Sequence, residues 1–336
     1  MQFGILGSGS WATAIAKILT DNGNTINWWV RNGESIQYIQ KRKHNPHYLS
    51  GAYFNPAQLL LNEQIEEVVA QSDVLVIAIP SAYVEAALLA VPKELWQGKK
   101  IVSAVKGILP DSNKLLHDYM AATNGFPLNN YFTLLGPCHA EEVASEKLSY
   151  LTFSGIDEQA TTEISGYFKT EYINTVVNTD VLGVQYAAVL KNIYALGAGI
   201  AHGLEYGDNF LSVYIAAAAN EMVEFLQKIS GDQLNANLPL KNYTGSVYLG
   251  DLLVTCYSLY SRNRTFGNML GKGYSVKAAT LELNMVAEGY NAAKCIHKTN
   301  AALVHAEMPI ATTLYEILWE QVPAFEGFKK IETFLA

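Results

Sequence analysis

Short apolar runs alternate with amphipathic stretches over the first half of the chain. This pattern predicts strands at residues 3–6, 25–30, 73–80, 101–105, 131–135, 148–154 and 172–177. The run 74–79 is apolar throughout, which is typical of a strand in a parallel sheet that helices cover on both faces. Because such strands alternate with helical segments, such as 11–19, we predict a doubly wound α/β domain over residues 1–180.

From about Asp180 onward the hydrophobic spacing becomes helical. Apolar positions recur with a helical period over residues 184–200, 210–229, 276–298 and 310–319. We find no convincing strand pattern in this half. The sequence therefore predicts that an all-α domain, residues 181–336, follows the α/β domain.

Composition and charge narrow the class of protein. Half of the 336 residues are hydrophobic and 16% are charged, which excludes an intrinsically disordered chain. The net charge of −8 lacks the broad basic surface of nucleic-acid binding proteins, so we expect no nucleic-acid partner. No apolar run approaches the ~20 residues that span a bilayer, so we expect no membrane insertion.

The cysteines and the N-terminal residues indicate the cellular compartment that we expect for this protein. The three cysteines, Cys138, Cys256 and Cys295, form no C-x-x-C pair, and we expect them to be reduced. The first predicted strand begins at Phe3, which leaves no room for a signal peptide. We therefore expect a cytoplasmic protein.

A glycine-rich turn joins the first predicted strand to the first predicted helix. Its sequence, Gly7-Ser8-Gly9-Ser10-Trp11-Ala12, matches the dinucleotide-binding pattern G-x-G-x-x-G/A. Gly7 permits the tight turn, Gly9 lets the backbone approach a pyrophosphate, and Ala12 keeps the helix close to the strand. An isolated motif of this kind is more often an ordinary turn. Here the strand–turn–helix context favours nucleotide binding, with the phosphates at the helix N-terminus.

The end of the second predicted strand bears on the choice of cofactor. Sites selective for NAD usually carry Asp or Glu there, about 20 residues after the glycine motif. This chain has Arg31 instead, 19 residues after Ala12. A guanidinium suits a 2′-phosphate, so we expect NADPH to be accepted and preferred over NADH. The alternative is that Arg31 only caps the strand at the surface.

Eight short motifs along the chain match one family in order. They are 7–11 (GSGSW), 103–107 (SAVKG), 136–142 (GPCHAEE), 190–192 (LKN), 207–209 (GDN), 249–252 (LGDL), 261–263 (SRN) and 286–289 (VAEG). Each motif is weak alone, but eight in order at suitable spacing are specific. From residue 2 to about 325, the chain resembles the bacterial NAD(P)-dependent glycerol-3-phosphate dehydrogenases.

The resemblance implies an architecture and a reaction. The family has a Rossmann-like N-terminal domain and a helical C-terminal domain, with the active site in the cleft between them. It interconverts dihydroxyacetone phosphate and sn-glycerol 3-phosphate, with NADPH/NADP or NADH/NAD as cofactor. The product supplies phospholipid synthesis.

The resemblance also implies catalytic roles. Lys191 matches the family's catalytic lysine, Lys106 matches a second lysine that contacts the substrate, and Asp251 matches a carboxylate that contacts a substrate hydroxyl and orients the lysine. Hydride reduction of a ketone leaves an alkoxide, which a well-placed ammonium can protonate. Two lysines in one partly desolvated site lower the pKa of at least one of them.

Binding residues follow from the same motifs. Ser261, Arg262 and Asn263 match contacts to the substrate phosphate, and Gly136 and Cys138 match a turn that meets the substrate. The implied cofactor contacts are Gly7, Gly9, Ser10, Trp11, Arg31, Lys106, Ala140, Arg262, Val286 and Glu288.

Two positions depart from the common pattern of the family. Cys138 stands where many relatives have a small hydroxyl residue, and His139 stands where they have phenylalanine. A thiol is a weaker hydrogen-bond donor than a hydroxyl, which affects substrate affinity or sensitivity to oxidation. We assign His139 a packing or supporting role, because Lys191 already fills the role of the acid.

We expect no metal ion in this protein. His44 and His47 lie close in sequence, but Pro46 lies between them and no acidic residue is near. A loop is therefore the better interpretation of this segment than a metal site. Hydride transfer is the cofactor's own chemistry and needs no metal.

Two other functions remain open at this stage. One is a two-domain dehydrogenase acting on a hydroxy or keto acid, whose carboxylate would also suit Arg262. The other is a redox sensor that binds NADPH without catalysis, although such a sensor has no need of Lys106, Lys191 and Asp251. The apolar helical half is compatible with a homodimer and equally with a monomer.

Overall fold

The computed structural model describes residues 1–231, 242–283 and 287–335. The chain divides into two compact units. The N-terminal unit comprises Met1–Val105 and Lys114–Val181. The C-terminal unit comprises Lys106–Asn113 and the described residues from Leu182 onward. The short segment Lys106–Asn113 thus belongs to the C-terminal unit, although its neighbours in sequence lie in the other.

An eight-stranded sheet forms the centre of the N-terminal unit. Its strands are β1 (Phe3–Leu6), β2 (Ile26–Trp29), β3 (Leu59–Asn62), β4 (Val74–Ile77), β5 (Lys100–Ser103), β6 (Tyr131–Leu135), β7 (Ser149–Ser154) and β8 (Ile173–Asn178). The spatial order is β3-β2-β1-β4-β5-β6-β7-β8. All neighbours are parallel except β6 and β7, which are antiparallel. This sheet confirms the predicted doubly wound α/β fold.

Seven helices belong to this unit. They are α1 (Ser10–Asp21), α2 (Gly33–Arg42), α3 (Ile65–Ala70), α4 (Ser81–Leu89), α5 (Leu116–Asn124), α6 (Ala140–Ala144) and α7 (Glu158–Gly166). Strands β1 and β4 are fully buried, as their continuous apolar sequences predict. Chain order reverses direction across the sheet between β1 and β4. In such sheets a crevice forms at this point, outside the carboxyl ends of the strands, and ligands bind there.

The described part of the C-terminal unit is helical and contains no strand, as predicted. Its helices are α8 (Val181–Gly203, whose first residue lies in the N-terminal unit), α9 (Asp208–Ser230), α10 (Asp251–Tyr257), α11 (Arg262–Gly271), α12 (Val276–Leu283), α13 (Glu288–Thr299), α14 (Pro309–Trp319) and α15 (Ala324–Phe334). Short π-helical turns occupy Ser246–Gly250 and Asn300–Val304. None of the described helices is both long and apolar enough to cross a bilayer.

One predicted helix is wrong. The spacing over 276–298 predicts a single helix, but the structure has two, α12 and α13. The second begins after Ala287, whose extended backbone (φ −82°, ψ 106°) cannot continue a helix. Apolar residues in both helices have compatible spacing, so the pattern alone does not show the break.

Helices α8 and α11 cross in backbone contact. A Cβ on Gly267 would overlap the carbonyl oxygen of Leu196, and one on Gly199 would overlap that of Arg264. Gly203 and Gly271 meet in the same way one turn further along. This close crossing holds the first turn of α11 near the middle of α8, where the candidate catalytic residues lie.

Candidate active site

The phosphate-binding turn in the N-terminal unit has the shape that a dinucleotide needs. Gly7 directly follows β1 and has a φ of +124°, and a Cβ there would overlap the carbonyl oxygen of Ala78. By contrast, a Cβ on Gly9 would have no atom within 4 Å, so the turn is open on that side. Gly9 precedes α1 without a side-chain cap, and the first turn of α1 has no acidic residue. The N–H groups and positive end of α1 therefore suit a pyrophosphate, and these residues fit the expected cofactor.

Two polar side chains that the sequence analysis missed or left unassigned hold this turn in place. The buried Trp28 indole donates a hydrogen bond to the carbonyl of Gly7 (2.7 Å). The buried Asn45 amide donates to the carbonyl of Ser8 (3.1 Å) and to the Thr13 hydroxyl (2.9 Å). Nothing in the sequence connects Asn45 with a turn more than 30 residues earlier.

The carboxyl ends of β2 and β3 carry charges of both signs. Arg31 lies two residues beyond β2 and is exposed, and Asn32 caps α2 by accepting a hydrogen bond from the N–H of Glu34 (2.8 Å). Glu63 follows β3, and its carboxylate occupies the space that a Cβ on Gly33 would need. Glu63 is absent from the predicted site residues, because no strand was predicted before it.

The turn after β6 brings together three predicted binding positions. Gly136 immediately follows this strand with a φ of +118°. Cys138 is buried and forms no disulfide, and the same is true of Cys256 and Cys295. His139 precedes α6 and its carbonyl accepts hydrogen bonds from Glu142 and Val143, while Ala140 is the first residue of that helix.

A buried ion pair lies in the C-terminal unit. The Nζ of Lys191, on α8, donates to Oδ1 of Asp251 at 2.5 Å, and the two residues are only 4% and 1% exposed. Asp251 is the first residue of α10, directly after the π-helical turn Ser246–Gly250. Its second carboxylate oxygen, Oδ2, is buried and has no hydrogen-bond partner among the described residues. A buried carboxylate oxygen without a donor is costly unless a ligand supplies one.

The environment of Lys191 favours proton transfer near neutral pH. Burial and, to a smaller extent, the nearby charge of Lys106 lower the pKa of Lys191 to about 8, although the charge of Asp251 opposes the shift. The charge of Lys191 acts to lower the pKa of the nearby Cys256 thiol, but burial outweighs it and raises that pKa to about 12. The thiol therefore stays neutral, whereas Lys191 can exchange a proton near physiological pH.

Side chains around the pair connect it to other segments. The Thr255 hydroxyl, missed by the sequence analysis, donates to the backbone carbonyl of Asp251 (2.5 Å). Asn192 donates to the backbone carbonyl of Lys106 (3.0 Å), and Asn263 donates to Asn192 (2.9 Å). The structure thus brings Lys106, Lys191, Asp251 and Asn263 into one cluster.

The first turn of α11 provides the remaining polar groups of the cluster. Ser261 caps the helix, with its hydroxyl accepting from the N–H of Arg264 (3.3 Å). Arg262 is the first helical residue and its side chain is exposed, whereas its neighbour Asn263 is buried. Glu288 is the first residue of α13. Val286, a predicted cofactor contact, lies outside the described residues.

Within the described ranges, no group of three or more His, Cys, Asp or Glu side chains could hold a metal ion. The segment containing His44 and His47 forms a loop after α2, as expected. Asn45 shapes this loop by accepting hydrogen bonds from the backbone N–H groups of His47 and Tyr48.

Comparison with known proteins agrees with this geometry. A family model described as "NAD-dependent glycerol-3-phosphate dehydrogenase N-terminus" matches residues 2–161, and one described as "NAD-dependent glycerol-3-phosphate dehydrogenase C-terminus" matches residues 180–329. A relative from Chlorobium luteolum, named glycerol-3-phosphate dehydrogenase (NAD(P)+), is 32% identical over 334 residues, covering 99% of this chain and 98% of the relative. A relative of the same name from Bacillus anthracis is 32% identical over 316 residues, covering 94% and 90%.

A solved structure shares the whole architecture. The glycerol-3-phosphate dehydrogenase of Coxiella burnetii superposes with a TM-score of 0.87 at 25% identity and covers 98% of both chains. Together these matches confirm the family resemblance that the eight motifs indicate. The chain belongs to the NAD-dependent glycerol-3-phosphate dehydrogenase family, and it is an oxidoreductase that uses a nicotinamide cofactor.

Proposed function

We propose that this enzyme works mainly as a reductase of dihydroxyacetone phosphate, forming sn-glycerol 3-phosphate for phospholipid synthesis, with Lys191 as the proton donor. The observation that carries the proposal is the buried pair of Lys191 and Asp251. It combines an ammonium whose pKa is about 8 with a carboxylate oxygen that lacks a donor. A ketone that carries a neighbouring hydroxyl satisfies both groups.

The chemistry of the substrate assigns the two groups of the pair. The hydroxyl beside the carbonyl donates to Oδ2 of Asp251, which fills the missing hydrogen bond. When bound, NAD(P)H supplies the hydride to the carbonyl carbon. Lys191 gives a proton to the carbonyl oxygen as negative charge develops there, and the ammonium of Lys106 stabilises that charge. In the reverse direction, neutral Lys191 removes the proton from the alcohol.

The first turn of α11 is proposed as the site of the substrate phosphate. Ser261, Arg262 and Asn263 offer a hydroxyl, a guanidinium fork and an amide, which are the donors that a phosphate dianion binds. The exposed Arg262 side chain stands at a helix N-terminus, where the helix dipole also favours an anion. The turn at Gly136 and Cys138 is proposed as a further substrate contact.

Cofactor binding is assigned mainly to the N-terminal unit. Gly7, Gly9, Ser10 and Trp11 receive the pyrophosphate, and Arg31 receives a 2′-phosphate, so that NADPH is preferred. Ala140, Lys106, Arg262, Val286 and Glu288 are proposed as further contacts. The three cysteines form no disulfide, which suits a reducing compartment and supports a cytoplasmic location.

The decisive experiment measures oxidation of NADPH and NADH by the purified protein. Dihydroxyacetone phosphate is the substrate, unphosphorylated dihydroxyacetone tests the phosphate, and an α-keto acid tests the rival dehydrogenase. We expect rapid turnover of the phosphorylated ketone alone. Turnover of the keto acid instead would establish the rival function, and NADPH binding without turnover of any substrate would favour the sensor.

A variant separates the role of Lys191 from that of the cofactor site. Lys191→Met removes the proton donor, so we expect kcat for dihydroxyacetone phosphate to fall by about 10²–10⁴-fold. NADPH affinity, measured by fluorescence, should stay unchanged. The matched control is Lys272→Met, which removes an exposed lysine just after α11 and should leave kcat unchanged. Near-normal turnover by Lys191→Met would exclude Lys191 as the acid.

A further inference from the structure

Three hydrogen bonds made by two side-chain amides, one between the amides and one between each amide and a backbone group, join four segments of the C-terminal unit. Gly289, on α13, donates its N–H to Oδ1 of Asn263 (2.9 Å), and Asn263 donates from Nδ2 to Oδ1 of Asn192 (2.9 Å). Asn192 donates from its own Nδ2 to the carbonyl of Lys106 (3.0 Å). Both asparagines are buried, at 5% and 7% exposure. We call this series the amide chain.

The two ends fix the direction of the whole amide chain. The Lys106 carbonyl can only accept a hydrogen bond and the Gly289 N–H can only donate one. Each asparagine therefore has a single orientation that satisfies both of its neighbours. Turning either amide over would place two donors or two acceptors face to face in a buried site, which is costly.

The amide chain ends at the backbone carbonyl of Lys106, one of the proposed catalytic residues. Lys106 begins the segment Lys106–Asn113, which is only eight residues long. The far end of this segment is also tied down, because Nδ2 of Asn113 donates to the hydroxyl of Thr299 (3.1 Å). Asn192 directly follows Lys191 on α8. The same helix therefore carries the proposed catalytic lysine, Lys191, and holds the backbone of Lys106.

We propose that Asn192 and Asn263 act as one unit of positioning residues, which holds the backbone of Lys106 so that its ammonium stays beside Lys191. This inference rests on the reaction proposed above. It assigns Asn263 a second task besides its proposed phosphate contact, since its Nδ2 carries two hydrogens and gives only one to Asn192. Asn192, which no binding role accounted for, gains a function.

A double-mutant cycle distinguishes one unit from two independent contacts. Asn192→Leu and Asn263→Leu keep the approximate size of the side chain and remove its hydrogen bonds. If the amide chain acts as a unit, each variant should lower kcat/KM for dihydroxyacetone phosphate by about 10- to 100-fold, and the double variant should lose little more than the worse single variant. Losses that multiply would overturn the proposal. Asn291→Ala, at a half-buried position on α13, is the control and should stay near wild type.

A second measurement reads the position of Lys106 without using the reaction. The charge of Lys106 repels the protonated form of Lys191, so loosening Lys106 should raise the pKa of Lys191. NMR titration of protein labelled with ¹³C-lysine, with the Lys191 signal assigned from Lys191→Met, measures this shift. We expect an upward shift in both leucine variants and none in Asn291→Ala. An unchanged pKa in both leucine variants would overturn the positioning role.

The two readouts separate failure of this inference from failure of the proposed function. If the wild-type protein does not reduce dihydroxyacetone phosphate, but the leucine variants shift the pKa of Lys191, the positioning role of the amide chain stands and the proposed reaction is wrong. If the wild type is active, but the losses multiply and the pKa of Lys191 does not shift, the proposed reaction stands and the positioning role of the amide chain is wrong. If a leucine variant does not fold, the corresponding alanine variant replaces it in the kinetic cycle, because alanine also removes the hydrogen bonds of the amide and adds no charge.

Discussion

At the scale of single residues, the protonation of Lys191 should control the direction of the reaction. Burial and the charge of Lys106 lower the pKa of Lys191 to about 8. Reduction of the ketone needs the protonated form, so its kcat/KM should fall as the pH rises through about 8. Oxidation of the alcohol needs the neutral form, so its kcat/KM should rise over the same range.

Initial rates across this pH range, in both directions, test the assignment. Stopped-flow rates at saturating NADPH for the reduction, and at saturating NADP for the oxidation, exclude an effect of cofactor binding. Profiles that bend the same way in both directions would contradict a single group that serves as acid and base. Profiles without a bend near pH 8 would place the proton donor elsewhere.

Arg31 is the residue on which the proposed preference for NADPH depends. Arg31→Asp should raise KM for NADPH by about tenfold or more, because a charge-assisted contact with a phosphate is lost and a repulsion is added. KM for NADH should change little. Arg42→Asp, at an exposed position in the last turn of α2, makes the same charge change as a control. Equal effects of Arg31→Asp on KM for the two cofactors would mean that Arg31 only caps the strand and does not bind the 2′-phosphate.

Individual site residues were predictable where a local motif contains them. Gly7, Gly136 and Asp251 lie in short segments with characteristic neighbours, and each stands at the start or end of an element as its motif implies. Asn45 and Glu63 have no such segment. The turn that the Asn45 amide donates to, and the glycine that Glu63 meets at the start of α2, lie 30 or more residues away along the chain, so only the fold shows these contacts.

At the scale of elements, the crossing of α8 and α11 links stability to the site. Gly267→Ala places a methyl group against the carbonyl of Leu196, which no rotamer change can relieve. We expect this variant to lower the free energy of unfolding by about 1–3 kcal/mol or more, since overpacking forces the backbones apart. It should also lower kcat/KM, because the first turn of α11 moves away from Lys191.

A second glycine provides the control for this substitution. Gly166, the last residue of α7, has open space where a Cβ would lie, so Gly166→Ala should leave stability unchanged or slightly raise it. Midpoints of urea denaturation and kcat/KM, measured on both variants, check the prediction. A Gly267→Ala protein as stable and active as wild type would show that the two helices separate without cost.

Most of the strands that the pattern predicted are strongly buried, although the edge strand β8 is not. Strands β1 and β6 have the predicted bounds, and the other predicted strands differ by a few residues at their ends. Strand β3 was missed because it lies at the edge of the sheet, with Leu60 about half exposed, so its sequence lacks a clear alternation. The antiparallel pairing of β6 and β7 was also not predicted, since apolar runs indicate strands that are covered on both faces but do not single out one antiparallel pair in a mostly parallel sheet.

At the scale of the whole molecule, the division into two units separates the proposed tasks. The phosphate turn lies in the N-terminal unit, and the pair of Lys191 and Asp251 lies in the C-terminal unit. The change from alternating to helical patterns near residue 180 indicates this division in the sequence. The assignment of Lys106–Asn113 to the C-terminal unit leaves no such sign, because eight residues are too few to show a change of composition. It is established by tertiary hydrogen bonds, those of Asn192 and Asn113.

The stability of the C-terminal unit should depend on pH through a buried carboxylate. Glu221, on α9, accepts hydrogen bonds from the N–H groups of Ile310 (2.8 Å) and Ala311 (2.9 Å) at the start of α14, and from the hydroxyl of Tyr194 on α8 (3.0 Å). The residue thereby joins three helices. Burial nevertheless raises the pKa of Glu221 from 4.5 to about 7, because the hydrogen bonds only partly offset the loss of water.

The sign of the effect follows from this raised pKa. Between pH 4.5 and about 7 the folded protein binds the proton more tightly than the unfolded chain does. The contribution of Glu221 is therefore fully present below pH 4.5 and is lost as the pH rises through about 7, with a total of up to about 3 kcal/mol. Glu221→Gln removes this titration. It also turns an amide N–H₂ toward a backbone N–H of α14, which lowers the stability of the variant. The loss relative to wild type is largest at acidic pH, because wild-type Glu221 is neutral there and stabilises the folded protein most.

Urea denaturation of wild type and Glu221→Gln from pH 5 to pH 8 measures this contribution as a difference. We expect the gap in unfolding free energy between the two proteins to be largest near pH 5 and to narrow toward pH 8. Glu224→Gln is the control one turn nearer the end of α9, because Lys228 lowers the pKa of Glu224 and so keeps its titration below this range. Its gap to wild type should stay constant from pH 5 to pH 8. A gap for Glu221→Gln that widens toward pH 8 would mean that the charged carboxylate stabilises α14, with its hydrogen bonds outweighing the cost of burial.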